Sequence, residues 1–175
     1  GVAIFYQSDI RHRGLWVDKS YLVIRAIEMV NDAAAQDAPC AGFADHHGHE
    51  AALLWHKIVC RKPPGSIALG RPSYSHMLCA AWCRHGERAA MRHPGPDVLS
   101  DAGASTWARG MGENACRVAC RFIRDEVPAT KMICDPFCGR GSVLAMAESM
   151  GFATLGVDIS AKRCRAARRA TVVAR

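Results

Sequence analysis

The chain has 175 residues, half of them apolar, and a formal charge of +7 at neutral pH. This length suits one domain whose core can stand without disulfides or metal, and no apolar run reaches the roughly 18 residues of a membrane span, so a soluble protein is expected. The start, GVAIFYQSDIRHRG, lacks the features of a secretory signal, and nine scattered cysteines fit a reducing, cytoplasmic compartment.

Val2 to Tyr6 is a continuous apolar run, the pattern of a buried parallel strand. Trp16 to Val30 carries apolar residues at helical spacing, with Asp18 near its start, and residues 31 to 49 form a polar, Ala-rich connection. Ala52 to Cys60 and Tyr74 to Trp82 read as neighbouring antiparallel strands around the Pro- and Gly-rich loop RKPPGSIALGRPS. Arg84 to Thr106 reads as a second surface loop.

From there the pattern changes. Glu113 to Val127 is a helix whose stripe is Ala115, Val118, Ala119, Phe122 and Ile123, closed by Pro128. Met132 to Asp135 is a strand, Ser142 to Met150 a helix ended by Gly151, and Ala153 to Asp158 a strand. A last helix from Ala161 is capped by Ser160.

The cysteine pairs Cys79 and Cys83, Cys116 and Cys120, and Cys134 and Cys138 match neither radical-enzyme nor zinc-ribbon spacing, and read as small buried apolar residues. Most of the excess charge lies at Lys162, Arg163, Arg165, Arg168, Arg169 and Arg175. A helix so charged either tracks phosphates or is a solvated face.

The turn DPFCGRGS follows a strand and opens a helix, so Gly139 and Gly141 let backbone amides approach a ligand closely at a helix N-terminus. Asp158 ends the next strand, where a carboxylate accepts ribose hydroxyls. Leu144 stands at the third glycine position, and the acidic Asp135 lies at the strand end. Both features disfavour a pyrophosphate and favour an adenosyl ligand carrying a sulfonium and an ammonium. The absence of GK[ST] excludes a phosphate-cradling loop.

DPFCGRGSVLAMAESMGFATLGVDIS resembles the S-adenosylmethionine region of class I methyltransferases, particularly amino-methyltransferases of DNA and RNA, at Asp135, Pro136, Phe137, Gly139, Gly141, Gly156 and Asp158, with Ser142 for Thr. The resemblance implies a Rossmann-like α/β fold, S-adenosyl-L-methionine as cofactor, a nucleic-acid partner and no metal. Cofactor contacts then fall on Asp135, Pro136, Phe137, Cys138, Gly139, Gly141, Asp158 and Ile159. The order, cofactor half last, is similar to the circularly permuted branch. By that likeness Arg109 to Asn114 take the place of a motif touching the methionine moiety, with Gly110, Met111 and Gly112 as contacts; RGMG departs from the usual Pro-containing sequence and equally suits a plain helix entry. The expected organisation is a single methyltransferase domain, 1 to 106 belonging to the substrate half and 107 to 175 to the cofactor half.

The [DNS]PP[YFW] loop of this branch, which holds the target amino group while its aromatic ring stacks on a flipped base, has no counterpart here. Lys62-Pro63-Pro64-Gly65 lacks both the polar acceptor and the aromatic and reads as a turn. In the permuted order the catalytic motif is expected upstream of Gly1. The chain is therefore expected to be a fragment, or to be completed by a partner polypeptide filling a vacancy in the sheet.

Cys40, His46, His47, His49, His56 and Cys60 cluster without the spacing of a known structural zinc site. Asp9 ends the first strand either as a substrate-orienting group or as a turn cap. Trp55, Tyr74 and Trp82 suit stacking on a base or core packing. The leading expectation is a methyltransferase acting on a base amino group. The alternatives are a noncatalytic RNA-binding subunit of an assembly and a methyltransferase of small molecules or proteins.

Overall fold

The computed structural model describes residues 1–35, 49–67, 72–84, 95–106 and 110–171. The fold is mixed α/β and divides into two compact units, Gly1–Leu99 and Ser100–Arg175. No helix among the described residues is long and apolar enough to cross a membrane.

The first unit contains β1 (Val2–Gln7), β2 (Ile10–His12), β3 (Leu15–Val17), α1 (Lys19–Ala35), β4 (His49–Cys60), β5 (Tyr74–Arg84) and β6 (Val98–Leu99). Its main sheet has the order β1-β5-β4-β6. The long β4 and β5 strands are antiparallel, as their sequences imply, running from His49 opposite Arg84 to Cys60 opposite Tyr74 with a bulge between Leu53 and Trp55. Val59, Met77, Leu78 and Cys79 are fully buried at its centre. Each large apolar side chain there contributes roughly 1.5–3 kcal/mol. On α1, the Asn31 amide both donates to Ala51 O and accepts from Ala51 N, each at 2.8 Å, replacing a strand partner at that point of β4.

Three expectations for this unit are corrected. β1 is antiparallel, pairing Val2 with Ala81 through Gln7 with His76, and lies at the end of the sheet among the described residues. Its burial alternates over Val2 to Phe5, with Phe5 42% exposed, because successive side chains point to opposite faces of the sheet and one face is more covered than the other. The helix begins at Lys19 rather than Trp16: Asp18 Oδ1 accepts from Tyr21 N at 3.0 Å as its cap, and Trp16 lies in a hairpin strand. The expected loop from Arg84 to Thr106 contains β6, parallel to β4. The Lys62-Pro63-Pro64-Gly65 string is a turn, closed by Ser66 N donating to Pro63 O at 3.1 Å with Gly65 at φ 83°.

The second unit contains α2 (Glu113–Glu126), β7 (Met132–Asp135), α3 (Ser142–Ser149), β8 (Ala153–Gly156) and α4 (Ala161–Ala167). β7 and β8 are parallel, Met132 opposite Ala153 through Asp135 opposite Gly156, and α3 is their crossover. α3 ends as its sequence implies. Gly151 takes φ 88°, Gly151 N donates to Glu148 O, and Phe152 N donates to Ala147 O, the paired bonds of a Schellman stop.

The core of this unit is Cys116, Cys120, Ile133, Met146 and Ala147. Cys116 and Cys120 thus belong to the apolar stripe of α2, and burial pushes their thiols up to about 12 and about 11. Cys134 corrects the reading of the cysteines as buried. It is exposed, because it shares a face of the two-stranded sheet with Met132 and Leu155, which are 55% and 52% exposed.

Candidate functional site

The residues from Asp135 to Ser160 form one continuous local structure. The chain leaves β7 through an Asx turn in which Phe137 N donates to Asp135 Oδ1 at 3.0 Å. Cys138 N donates to Val157 O and Val157 N to Asp135 O, both at 2.9 Å, so the turn is sewn to the extension of β8. Gly139 and Gly141 stand at φ 55° and 82°, the left-handed region that a side chain disfavours. Gly141 is the N-cap of α3, and a Cβ there would lie 2.8 Å from Ala167.

Asp158 closes this turn. Its Oδ2 accepts from Gly139 N at 3.1 Å, its Oδ1 accepts from Ser160 N at 2.8 Å, and Arg163 Nη1 stands 3.7 Å from Oδ2. The side chain is only 7% exposed. A carboxylate has about four acceptor positions, so these bonds leave lone pairs for further donors. Ser160 caps α4 as its sequence implies, its hydroxyl accepting from Arg163 N at 3.4 Å.

Burial pushes the Asp135 carboxyl above its ordinary value; the Phe137 N–H opposes this shift, and the charge of Asp158 adds to it. Two carboxylates that repel one another across a glycine turn favour a cation and resist a phosphate. Phe137 is 87% exposed, and Ile159 beside Asp158 is fully exposed. Cys138 is buried beneath the turn.

The third glycine of a dinucleotide turn lets helix and strand pack closely. Here Leu144 holds that helix position and the small residue stands on the strand instead: a Cβ on Gly156 would lie 2.3 Å from Leu144 Cδ1 and 3.1 Å from Cys138.

The entry to α2 is held by its own unit. Glu113 N donates to Ala104 O at 2.8 Å and Asn114 N to Ala102 O at 3.0 Å, while a Cβ on Gly112 would lie 2.1 Å from Ala102 O. Met111 packs against the core cluster. Gly110 O accepts from the Ser105 hydroxyl at 3.3 Å, and Arg109 lies outside the described residues.

A polar cluster in the first unit joins residues that sequence reading treats separately. Asp9 Oδ1 accepts from Lys19 N at 2.9 Å, and its Oδ2 pairs with His76 Nε2 at 3.1 Å; His76 Nδ1 meets His56 Nε2 at 2.9 Å. Asp9 and His76 are buried. Tyr74 packs its ring edge-on to His76, and burial raises its hydroxyl's pKa with help from Asp9 and Asp18. Burial, then the neighbouring His76, lowers the pKa of His56.

Asp9, Asp18 and His76 place ligand atoms within 4.8 Å of one another. Their bonds to Lys19, Tyr21, Ser20 and His56 account for this arrangement as a cap and a relay. Cys40, His46 and His47 lie outside the described residues, as does the side chain of His49, and Cys60 is a half-buried thiol. Trp55 is buried, Tyr74 is half-buried, and Trp82 is 38% exposed. Asp9 was the visible signal for the cluster, but no local spacing links it to residues in β4 and β5.

No protein-family profile and no curated protein matches the sequence. Solved structures match in fold. A putative DNA modification methylase of Thermus thermophilus aligns at a TM-score of 0.63 with 14% identity, covering 97% of this chain and 68% of that one. The same protein complexed with S-adenosyl-L-methionine aligns at 0.57, also at 14% identity, over 97% of this chain and 67% of that one. The complex of M1.HpyAVI with the same cofactor aligns at 0.53 with 8% identity, covering 97% and 73%. The likeness at these identities is one of fold, and the chain spans about two-thirds of the Thermus protein.

Proposed function

We propose that this chain binds S-adenosyl-L-methionine and serves a methyltransferase that acts on a base amino group in DNA. The observation that carries the reading is the pair of carboxylates, Asp135 at the end of β7 and Asp158 two residues past β8, flanking a left-handed glycine turn at the start of α3. The sulfonium and ammonium of that ligand offset the repulsion between the two acids. An anionic dinucleotide would add to it.

In this reading Asp158 accepts the ribose hydroxyls with the lone pairs left by Gly139 and Ser160, and Arg163 swings aside to admit them. Asp135 attracts the methionine ammonium. Ile159 and Phe137 offer apolar surface to the adenine and to the mouth of the site. When bound, the cofactor supplies an electrophilic methyl group. The protein then contributes orientation and exclusion of water rather than covalent chemistry. Support for DNA comes from the fold shared with a putative DNA modification methylase.

The proposal includes the permuted order, with residues 1 to 106 as the substrate half and 107 to 175 as the cofactor half, a boundary supported by the two compact units, which divide between Leu99 and Ser100. Among the described residues β7 pairs only with β8. Its other edge is where the reading places a strand carrying the amino-binding loop, which this sequence does not contain.

Isothermal titration of the chain with S-adenosyl-L-methionine, and with NAD as control, tests the cofactor assignment. Saturable heat with the first ligand, lost in Asp158→Ala, is expected. Heat with NAD alone, or with neither ligand on folded protein, would overturn it.

A further inference from the structure

We infer that the hairpin of β2 and β3 is a nucleic-acid docking ribbon, its two arginines meeting backbone phosphates and Trp16 stacking on an unstacked base. The inference rests on the DNA reading above and assigns it a contact surface outside the cofactor turn.

The hairpin pairs Ile10 with Val17, Arg11 with Trp16 and His12 with Leu15, around a two-residue turn at Arg13 and Gly14. Arg11 and Trp16 are a direct cross-strand pair and so share a face, with the guanidinium 5.8 Å from the Trp16 ring centroid. This contact holds a flat, cation-backed aromatic surface in place before any partner arrives. Trp16 is 49% exposed and Leu15, beside the turn, is 73% exposed. A two-stranded ribbon gains little stability from such exposed side chains. Their exposure leaves both side chains accessible to a partner.

Charge narrows the partner. Residues 10 to 17 include Arg11, His12 and Arg13 and no acid. Of the flanking acids, Asp9 is buried against His76 and Lys19 N, while Asp18 is exposed with one carboxylate oxygen engaged in capping α1. Within its own eight residues the ribbon thus presents a basic and aromatic surface, with the exposed Asp18 at its base held to the start of α1, and such a surface fits a polyanion with π-faces better than an apolar protein groove.

The turn adds an independent sign. Arg13 at φ 51° is the one positive-φ residue other than glycine among those described, followed by Gly14 at φ 79°. Two positive φ values suit a turn that favours Asn, Asp or Gly at its first position. An arginine held there accepts a disfavoured backbone conformation and puts an exposed cation at the tip of the ribbon. A ribbon of this width enters a DNA major groove. A base taken out of the stack for chemistry at its amino group leaves the π-faces of its neighbours open to an aromatic ring.

The test uses the full chain and a short fluorescein-labelled duplex with one central mismatch, compared with the fully paired duplex, and reads anisotropy across a KCl series without cofactor. Arg11→Gln combined with Arg13→Gly, the latter chosen because glycine keeps the turn, should lower the log–log salt slope by up to about 1.8, or roughly 0.9 for each phosphate contact. Trp16→Ala should weaken binding to the mismatched duplex roughly 5- to 150-fold, the worth of one aromatic stack, and Trp16→Phe should restore most of it. Unchanged slope and affinity in these variants, with unchanged circular dichroism, would overturn the inference. So would a parent chain that binds neither duplex, an outcome that turns this face toward a protein partner. The two proposals fail separately. A chain that titrates with S-adenosyl-L-methionine while its ribbon variants bind DNA like the parent loses only the ribbon, and ribbon-dependent DNA binding without cofactor heat loses only the enzyme.

Discussion

Leu144 and Gly156 are a matched pair: the Leu144 side chain of α3 occupies the place that a side chain on residue 156 of β8 would need, 2.3 Å from an added Cβ. A crossover helix can approach its strand either by a glycine on the helix or by one on the strand. This chain uses the second arrangement.

Gly156→Ala should therefore destabilise the second unit by roughly 1–3 kcal/mol, the usual cost of overpacking. Thermal unfolding of the single variants and of Gly156→Ala with Leu144→Ala measures it. The pair should be less destabilised than the sum of the two singles, because the smaller residue 144 makes room.

Asp158→Ala should lower stability even without ligand, by about 1–3 kcal/mol, since Gly139 N and Ser160 N lose their acceptor in a half-buried turn. Chemical denaturation of the ligand-free chain is the measurement. A variant as stable as the parent would mean that water replaces the carboxylate at no cost.

The Asp9, His76 and His56 chain should make the first unit acid-sensitive. The ordinary pKa of His56 is 6.5, and the fold lowers it through burial and then through His76. The unfolded chain therefore takes up the proton first. Stability is full above about 6.5 and falls as the pH drops from there toward the depressed folded value. His56 Nε2 lies 2.9 Å from His76 Nδ1, so a charge on His56 is held against the neighbouring ring in a partly buried site. Melting temperatures measured from pH 8 to 5 should fall for the parent and fall less for His56→Gln.

Cysteine reactivity should follow burial. Cys134 is exposed and should be alkylated by iodoacetamide in the native protein well before Cys79 and Cys116, which are buried with thiols pushed up to about 12. Time-resolved peptide mass spectrometry checks the order. Equal rates at all three sites would show that both units open faster than the reagent reacts.

The second unit was legible from its sequence because its determinants are local. Glycine at a positive φ, Ser160 ahead of α4 and Gly151 behind α3 each act within a few residues, and β7, α3 and β8 follow one another without interruption. The hairpin of β2 and β3 was missed because Leu15, Trp16 and Val17 suit the start of an apolar helix as well as a strand. What decides between the two is the turn at Arg13 and Gly14 with Asp18 as the cap. β1 was misread for a related reason: an apolar run says that a strand is there but not how many neighbours it has.

By itself the sequence determined the place of the glycine turn, the order of the strands and helices around it, and the position of Asp135 and Asp158 on either side of it. The tertiary structure decided what register and packing alone can decide. It bound Asp158 into the turn, set Gly156 against Leu144, joined Asp9 to His76 and His56 across three segments, and left the Arg11 and Trp16 ribbon exposed. Residue spacing carries information over a turn or two of chain. Contacts between distant segments depend on which strand lies beside which, and that is settled only when the whole sheet buries its apolar face.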